Sequence, residues 1–235
     1  MLCKIADLIT AVPEAGDLVP RCMEYRYDGD LPADITIRQE DFRPHAWQGL
    51  TGDSYIYCES GSHFHFQLLR HNGMMLHSSA VVVDDRAYLF SAPSGTGKST
   101  HTRLWQQIFG DRAQVINDDK PALRCIDGVW YAYGTPWCGK DGININRRAK
   151  LAGICFLKQG PENHIRRLDT REAVQKLIWQ TMRRFRQEEN LDRMLTNVDS
   201  LVRNIPVFEL ENRPEPEAAQ LSYETMRRVA EEMGL

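Results

Sequence analysis

The chain has 235 residues, 42% of them hydrophobic and 26% charged, with a formal net charge of −3. That is enough apolar material for one large domain, or one domain with a sizeable appendage, and the charge excludes a global attraction to nucleic acid or to an anionic membrane. No apolar run approaches the ~20 residues of a membrane span, and "MLCKIADLIT" lacks the features of a secretory signal, so a cytoplasmic location is expected. Residues 1–70 hold short alternating stretches, "DITIRQ" and "SYIYCES", broken by Pro13, Pro20, Pro32 and Pro44. They read as strands and loops, a strand-rich N-terminal region packed on, or part of, the domain that fills 71–235. "SHFHFQLLRHNG" fits a helix ending at Gly73, although its phenylalanines also alternate.

From Met74 the pattern sharpens. "SSAVVVDDRAYLF" reads as a hairpin turning at Asp84-Asp85-Arg86. "STHTRLWQQIF" places His101, Leu104, Trp105 and Ile108 at helical spacing, and Gly110 stops that helix. "AQVIN" is a strand ending in Asp118-Asp119, "ALRCIDGVWYAY" a hairpin on Asp127-Gly128, and "LAGICFL" a central strand. "TREAVQKLIWQTMRRF" is a helix with Ala173, Leu177, Ile178, Thr181 and Met182 on one face and Asp169 or Thr170 as its cap. "NLDRMLTNVDSLVRN" continues helical, "IPVFEL" is a last strand, and a helix follows over about 217–232. The class is α/β, with a mixed, hairpin-rich sheet flanked by helices. The six cysteines, Cys3, Cys22, Cys58, Cys125, Cys138 and Cys155, contain no C-x-x-C pair. Neither structural zinc nor disulfides are expected, and most should be small buried apolar groups.

The chemistry concentrates at Ser94-Gly95-Thr96-Gly97-Lys98-Ser99-Thr100, between a strand and a helix. Glycines let backbone N–H groups turn inward around phosphate oxygens, and the helix start adds partial positive charge. Lys98 would reach the outer phosphates and Ser99 a Mg²⁺ ion, with Thr100 the alternative hydroxyl. The pattern G-x-x-x-x-G-K-[ST] has Ala92 in place of its first glycine. Asp118 and Asp119 stand where such proteins hold metal; one would bind Mg²⁺ and the other accept a proton, with the division left open. His77 precedes the hairpin that feeds the loop. A second glycine-rich stretch, "YGTPWCGKDGININRR", offers Gly139, Lys140 and Arg147 as a candidate acceptor or phosphate loop, or else is a connection whose Trp137 packs on the core. His63 and His65 would share a strand face as a metal pair lacking a third ligand. Arg166, Arg167, Arg183, Arg184 and Arg186 read as a solvated face, any one of them a candidate phosphate clamp.

The series "MLHSSAVVV", a turn, "RAYLFSAPSGTGKST" and "VINDD" resembles the catalytic domain of HPr kinase/phosphorylase, over about residues 74–160. "SGTGKST" is also similar to the kinase loop of phosphoenolpyruvate carboxykinase. The resemblance implies the carboxykinase-like P-loop fold and the use of ATP and Mg²⁺. It carries Gly95, Gly97, Lys98 and Ser99 over as the phosphate loop, Asp118 and Asp119 as the metal and base pair, and His77 as the histidine near them. Two departures matter. "GTPWCGKDGININ" replaces the family's Arg-Gly-rich segment, so HPr itself is not the expected substrate. The chain also lacks a carboxykinase's second lobe, so decarboxylation is not expected. What remains is phosphoryl transfer to a hydroxyl, such as a serine, on a peptide, a protein or a small molecule. Related short kinase-like proteins accompany peptide-modification pathways, which keeps a peptide acceptor open. A nucleotide-sensing module without turnover and a phosphohydrolase or phosphorylase are the alternatives. Expected partners are a nucleotide and a hydroxyl-bearing acceptor, with self-association left open and neither nucleic acid nor membrane among them.

Overall fold

In the computed structural model, which describes residues 1–43, 49–181 and 188–235, the chain opens with β1 (Leu2–Ile5) and β2 (Leu8–Ala11). After α1 (Leu18–Cys22), β3 (Ile35–Thr36) adds to β2 in parallel, completing a small three-stranded sheet. Then comes α2 (Gly52–Leu68), a helix where "SYIYCES" reads as a strand. The alternation misleads because α2 buries polar and small residues, Glu59, Ser60, Gly61 and Ser62, beside Phe64, His65 and Leu68. Those small groups let Trp137 come close. A Cβ at Gly61 would lie 3.0 Å from its ring, Ser60 Oγ accepts its indole N–H at 3.0 Å, and Phe64 stacks on it at 4.7 Å.

The helix also undoes the expected His63–His65 pair, since residues two apart on a helix point about 200° apart. His65 is buried and accepts the Met75 N–H, while His63 faces Glu59 and the Phe42 ring. Among the described residues no cluster of three His, Cys, Asp or Glu side chains is placed to hold a metal.

The main sheet follows: β4 (Gly73–Met75), β5 (Ser78–Val83), β6 (Arg86–Ser91), α3 (Lys98–Phe109) and β7 (Ala113–Asn117). Next come β8 (Ala122–Ile126), β9 (Val129–Tyr133), β10 (Arg148–Gln159) and β11 (His164–Arg167). The chain closes with α4 (Thr170–Gln180), α5 (Glu188–Asn204), β12 (Val207–Asn212) and α6 (Pro216–Glu232). The nine strands run β4-β8-β9-β10-β6-β5-β7, with β12 beside β10 and β11 beside β12. The long apolar run of β10 is central. It pairs in parallel with β6 on one edge, and on the other with β9 at its start and β12 at its end. Parallel and antiparallel pairs coexist, so the sheet is mixed, as its hairpins require. Both turns at Asp84-Asp85 and Asp127-Gly128 have positive φ at each central residue, the backbone that suits a right-twisted hairpin.

Helices α3 and α6 cover one face of the sheet and α4 and α5 the other. A third apolar cluster joins the small sheet and α2 to Met75, Ala122, Tyr133 and Trp137 of the main sheet region. No helix among the described residues is long and apolar enough to cross a membrane. The α3–α6 face is dominated by Trp105, which is fully buried among Tyr88, Phe90, Phe109 and Tyr223 at centroid distances of 5.0–5.7 Å. Its N–H is held by Ser222 at 3.0 Å. Trp105→Ala should lower unfolding stability by about 3–5 kcal/mol; a urea titration showing a loss below 1 kcal/mol would contradict this packing.

Candidate active site

Strand register builds the site. β5 runs antiparallel to both β6 and β7, pairing Ser78 with Ser91 and Ala80 with Asn117. The start of β5 therefore lies beside the ends of its two neighbours, and His77, the glycine loop and Asp118-Asp119 meet at one end of the sheet.

The loop joins β6 to α3. Gly95 and Gly97 have φ of +80° and +109°, and a Cβ on either would touch nothing within 4 Å. They are required by the backbone turn and border open space. Ala92 is not among the positive-φ residues and is buried in the α3–α6 core, so no glycine is needed there. Its carbonyl accepts the Lys98 ammonium at 3.0 Å. Burial pushes the Lys98 pKa down, against the pull of Asp119 and Asp118. Ser94 and Thr100 are exposed, and Ser99 and Thr96 are half-buried. A cleft of about 500 Å³ opens along Gly95, Thr96, Gly97 and Thr100 and reaches Gln159 and Asn212 at the ends of β10 and β12.

The acid pair is shaped by buried Asn117. Its Oδ1 accepts the N–H groups of Asp119 and Lys120, at 3.0 and 2.8 Å, and its amide donates to the Thr135 carbonyl at 2.9 Å. Asp118 accepts the Ser79 hydroxyl. Asp119 accepts the Tyr57 hydroxyl at 2.7 Å and the Lys120 ammonium at 3.0 Å, and lies 3.4 Å from His77 Nε2. Burial alone would raise the Asp119 pKa. Lys120, Tyr57 and His77 outweigh it, and the carboxyl stays below its ordinary range. Burial, Lys120 and Lys98 push His77 down to about 4, so the imidazole is neutral near pH 7. Its Nδ1 lies 3.1 Å from Gln180 Oε1. In the tautomer that donates this N–H to Gln180, Nε2 and Asp119 present two adjacent acceptors, a setting suited to a hydroxyl proton brought between them.

Gln180 arrives there because α4 stops early. The Asp169 and Glu172 capping box starts α4, but Thr181 is extended and bridges Leu76 rather than continuing the helical face. Met182, Arg183, Arg184 and Arg186, and likewise Pro44, lie outside the described residues. Of the second glycine loop, Gly139 joins the site: its N–H donates to Tyr57 OH at 3.1 Å. Its φ is +72°, and a Cβ there would stand 3.1 Å from the Asp119 Cβ. Trp137 packs in the core, as described above. Lys140 is exposed. Arg147 is not at the site; it pairs with Asp85 and Gln114, both at 2.7 Å, at the far end of β5 and β6. Arg166 is engaged by Glu172 and Glu209, and Arg167 by Met233. All six cysteines are free thiols, four of them buried.

Sequence reading missed Tyr57, Arg21, Lys120 and Gln180. Arg21 donates to the Gly139 carbonyl at 2.8 Å and to Cys138 Sγ at 3.2 Å, and lies over the Tyr57 ring. Only Lys120 had a local signal, its place beside the acid pair.

His65, His77 and His101 are held neutral by burial, with pKa values of about 3, 4 and 3 against an ordinary 6.5. Below 6.5 the unfolded chain binds more protons, so stability rises with pH through this window. The thermal midpoint should therefore fall steadily from pH 7 to pH 4, and a flat profile over pH 7–5 would refute the buried neutral state.

A family model described as "SynChlorMet cassette protein ScmC" matches residues 60–213, a segment with His77, the glycine loop and both aspartates but without Arg21 and Tyr57. No curated protein matches the chain. Among solved structures, the Hpr(Ser) kinase/phosphatase from Coxiella burnetii is similar at 12% identity and a TM-score of 0.36, over 66% of this chain and 94% of that one.

Proposed function

The chain belongs to the SynChlorMet cassette protein ScmC family, and from the site it carries we propose an ATP- and Mg²⁺-dependent kinase that phosphorylates a hydroxyl. One observation carries the reading: a glycine loop with a buried lysine stands at the same end of the sheet as an acid pair and a neutral histidine. We read the fold as the HPr kinase and phosphoenolpyruvate carboxykinase version of the P-loop architecture.

The residues fit both substrate and metal. Gly95 and Gly97 border open space, and the adjoining cleft of about 500 Å³ has room for a nucleoside. His101 lines that cleft with a buried Nδ1 that has no hydrogen-bond partner among the described residues. A serine hydroxyl and a carboxylate are the oxygen ligands Mg²⁺ prefers. Ser99 and Asp118 would hold it, because the Lys120 ammonium already occupies Asp119. Bound Mg²⁺ would neutralise charge on the phosphates. Lys98 and the loop N–H groups stabilise charge on the transferred group. Asp119, with His77 beside it, orients the acceptor hydroxyl and takes its proton. The bond between the γ-phosphorus and the β–γ bridging oxygen breaks as the new P–O bond forms, and ADP leaves.

Incubation with γ-labelled ATP, Mg²⁺ and a pool of hydroxyl-bearing peptides tests this. Label on an acceptor is the expected result. Label released only as phosphate points instead to a phosphohydrolase, and ATP bound but intact to a sensing module.

A further inference from the structure

A groove of about 330 Å³ opens beside α4, next to the residues that hold His77 and separate from the cleft along Gly95–Gly97 and Thr100. Its wall is apolar: Ala92 and Pro93 of the loop, Phe156 and Leu157 of β10, and Trp179 of α4. Gln180 and Ser91 are polar parts of its lining. Both hold His77, Gln180 at Nδ1 and Ser91 by donating to the His77 carbonyl at 2.8 Å.

We propose that this groove seats a large uncharged side chain of a peptide acceptor, about one or two residues from the hydroxyl that is phosphorylated. The proposal names the substrate class for the kinase reading and rests on it. Position comes first: a hydroxyl between His77 and Asp119 is one side chain, Gln180, away from the groove. Successive residues of an extended peptide rise ~3.4 Å each, so a flanking side chain spans that step. Size comes next, for the volume is ample for an aromatic or branched aliphatic side chain. The charge is balanced. Lys176, the cation of this wall, is paired with Glu209 at 2.7 Å and lies over the Phe156 ring, so an anionic group gains nothing there. Trp179, 67% exposed, forms the outer rim. An occupant that covers it recovers apolar area otherwise left in water. The open rim suits a chain that continues outward rather than a compact metabolite.

The test uses the full chain loaded with Mg²⁺ and a non-hydrolysable ATP analogue. Fluorescein-labelled seryl peptides are titrated in, carrying Phe, Leu, Ala, Glu or Lys at each flanking position. Phe or Leu at one position should tighten Kd about tenfold or more over Ala and Glu. Trp179→Ala should erase that preference without changing the Kd for the analogue, and Trp179→Phe should keep it. Equal affinities across the flanks overturn the proposal, as does a preference that survives Trp179→Ala. Preference without label transfer from ATP leaves the groove standing and removes the kinase. Transfer without preference does the reverse.

Discussion

Asp119→Asn should lower the rate of the proposed phosphoryl transfer by roughly 10³-fold, within the 10²–10⁴ that a positioned proton acceptor supplies. The substitution keeps the shape of the side chain and its Asn117-held backbone, so the loss reports charge rather than collapse. Asp119 stays ionised although buried because Lys120, Tyr57 and His77 surround it. A neutral amide leaves the Lys120 ammonium without its counter-charge and removes the carboxylate that takes the acceptor's proton. The glycine loop is untouched, so the Kd for Mg²⁺-ATP should stay within about threefold. Single-turnover quench-flow with equilibrium dialysis separates the two quantities. A transfer rate within tenfold of the parent would exclude Asp119 as the proton acceptor.

Lys98→Ala separates function from stability in the opposite way. The side chain is nine-tenths buried, its ammonium donates to the Ala92 carbonyl, and burial drives its pKa down. Removing a desolvated charge costs the fold little, so the melting temperature should hold or rise. Transfer should fall about 10³-fold, because nothing else in the loop brings a full positive charge to the phosphoryl group. Lys98→Arg should not restore it, since a planar guanidinium does not reproduce a compact ammonium in that space. Melting curves beside transfer rates check the pair. A variant that loses stability and keeps activity would mean that Lys98 is structural.

What could be read from sequence was what is local. The Asp84-Asp85 hairpin, the loop between β6 and α3, and the acids ending β7 each announce themselves within a dozen residues. The convergence of His77 with them follows from antiparallel register, which a hairpin fixes. Tyr57 and Gln180 carry no such mark. Tyr57 lies on a helix whose buried face mixes serine, glycine and glutamate with Phe64 and Leu68, so the apolar period that identifies a helix is blurred. Gln180 is placed by the extended Thr181 that ends α4 one residue later, a stop with no proline or glycine to signal it. Arg147 misled because a cation in a glycine-rich loop resembles a phosphate ligand, whereas Asp85 across the sheet claims it.

The Tyr57 hydroxyl, held between Asp119 and Gly139, sets a minimum length for a working protein. A fragment cut to residues 60–213 would retain every recognisable motif and still lack this phenol, Arg21 and the first half of α2. Trp137 would keep Ser60, Gly61 and Phe64 around it, but the loop carrying Gly139 would lose its anchor. Such a fragment bears the signature of the family and only part of the candidate site.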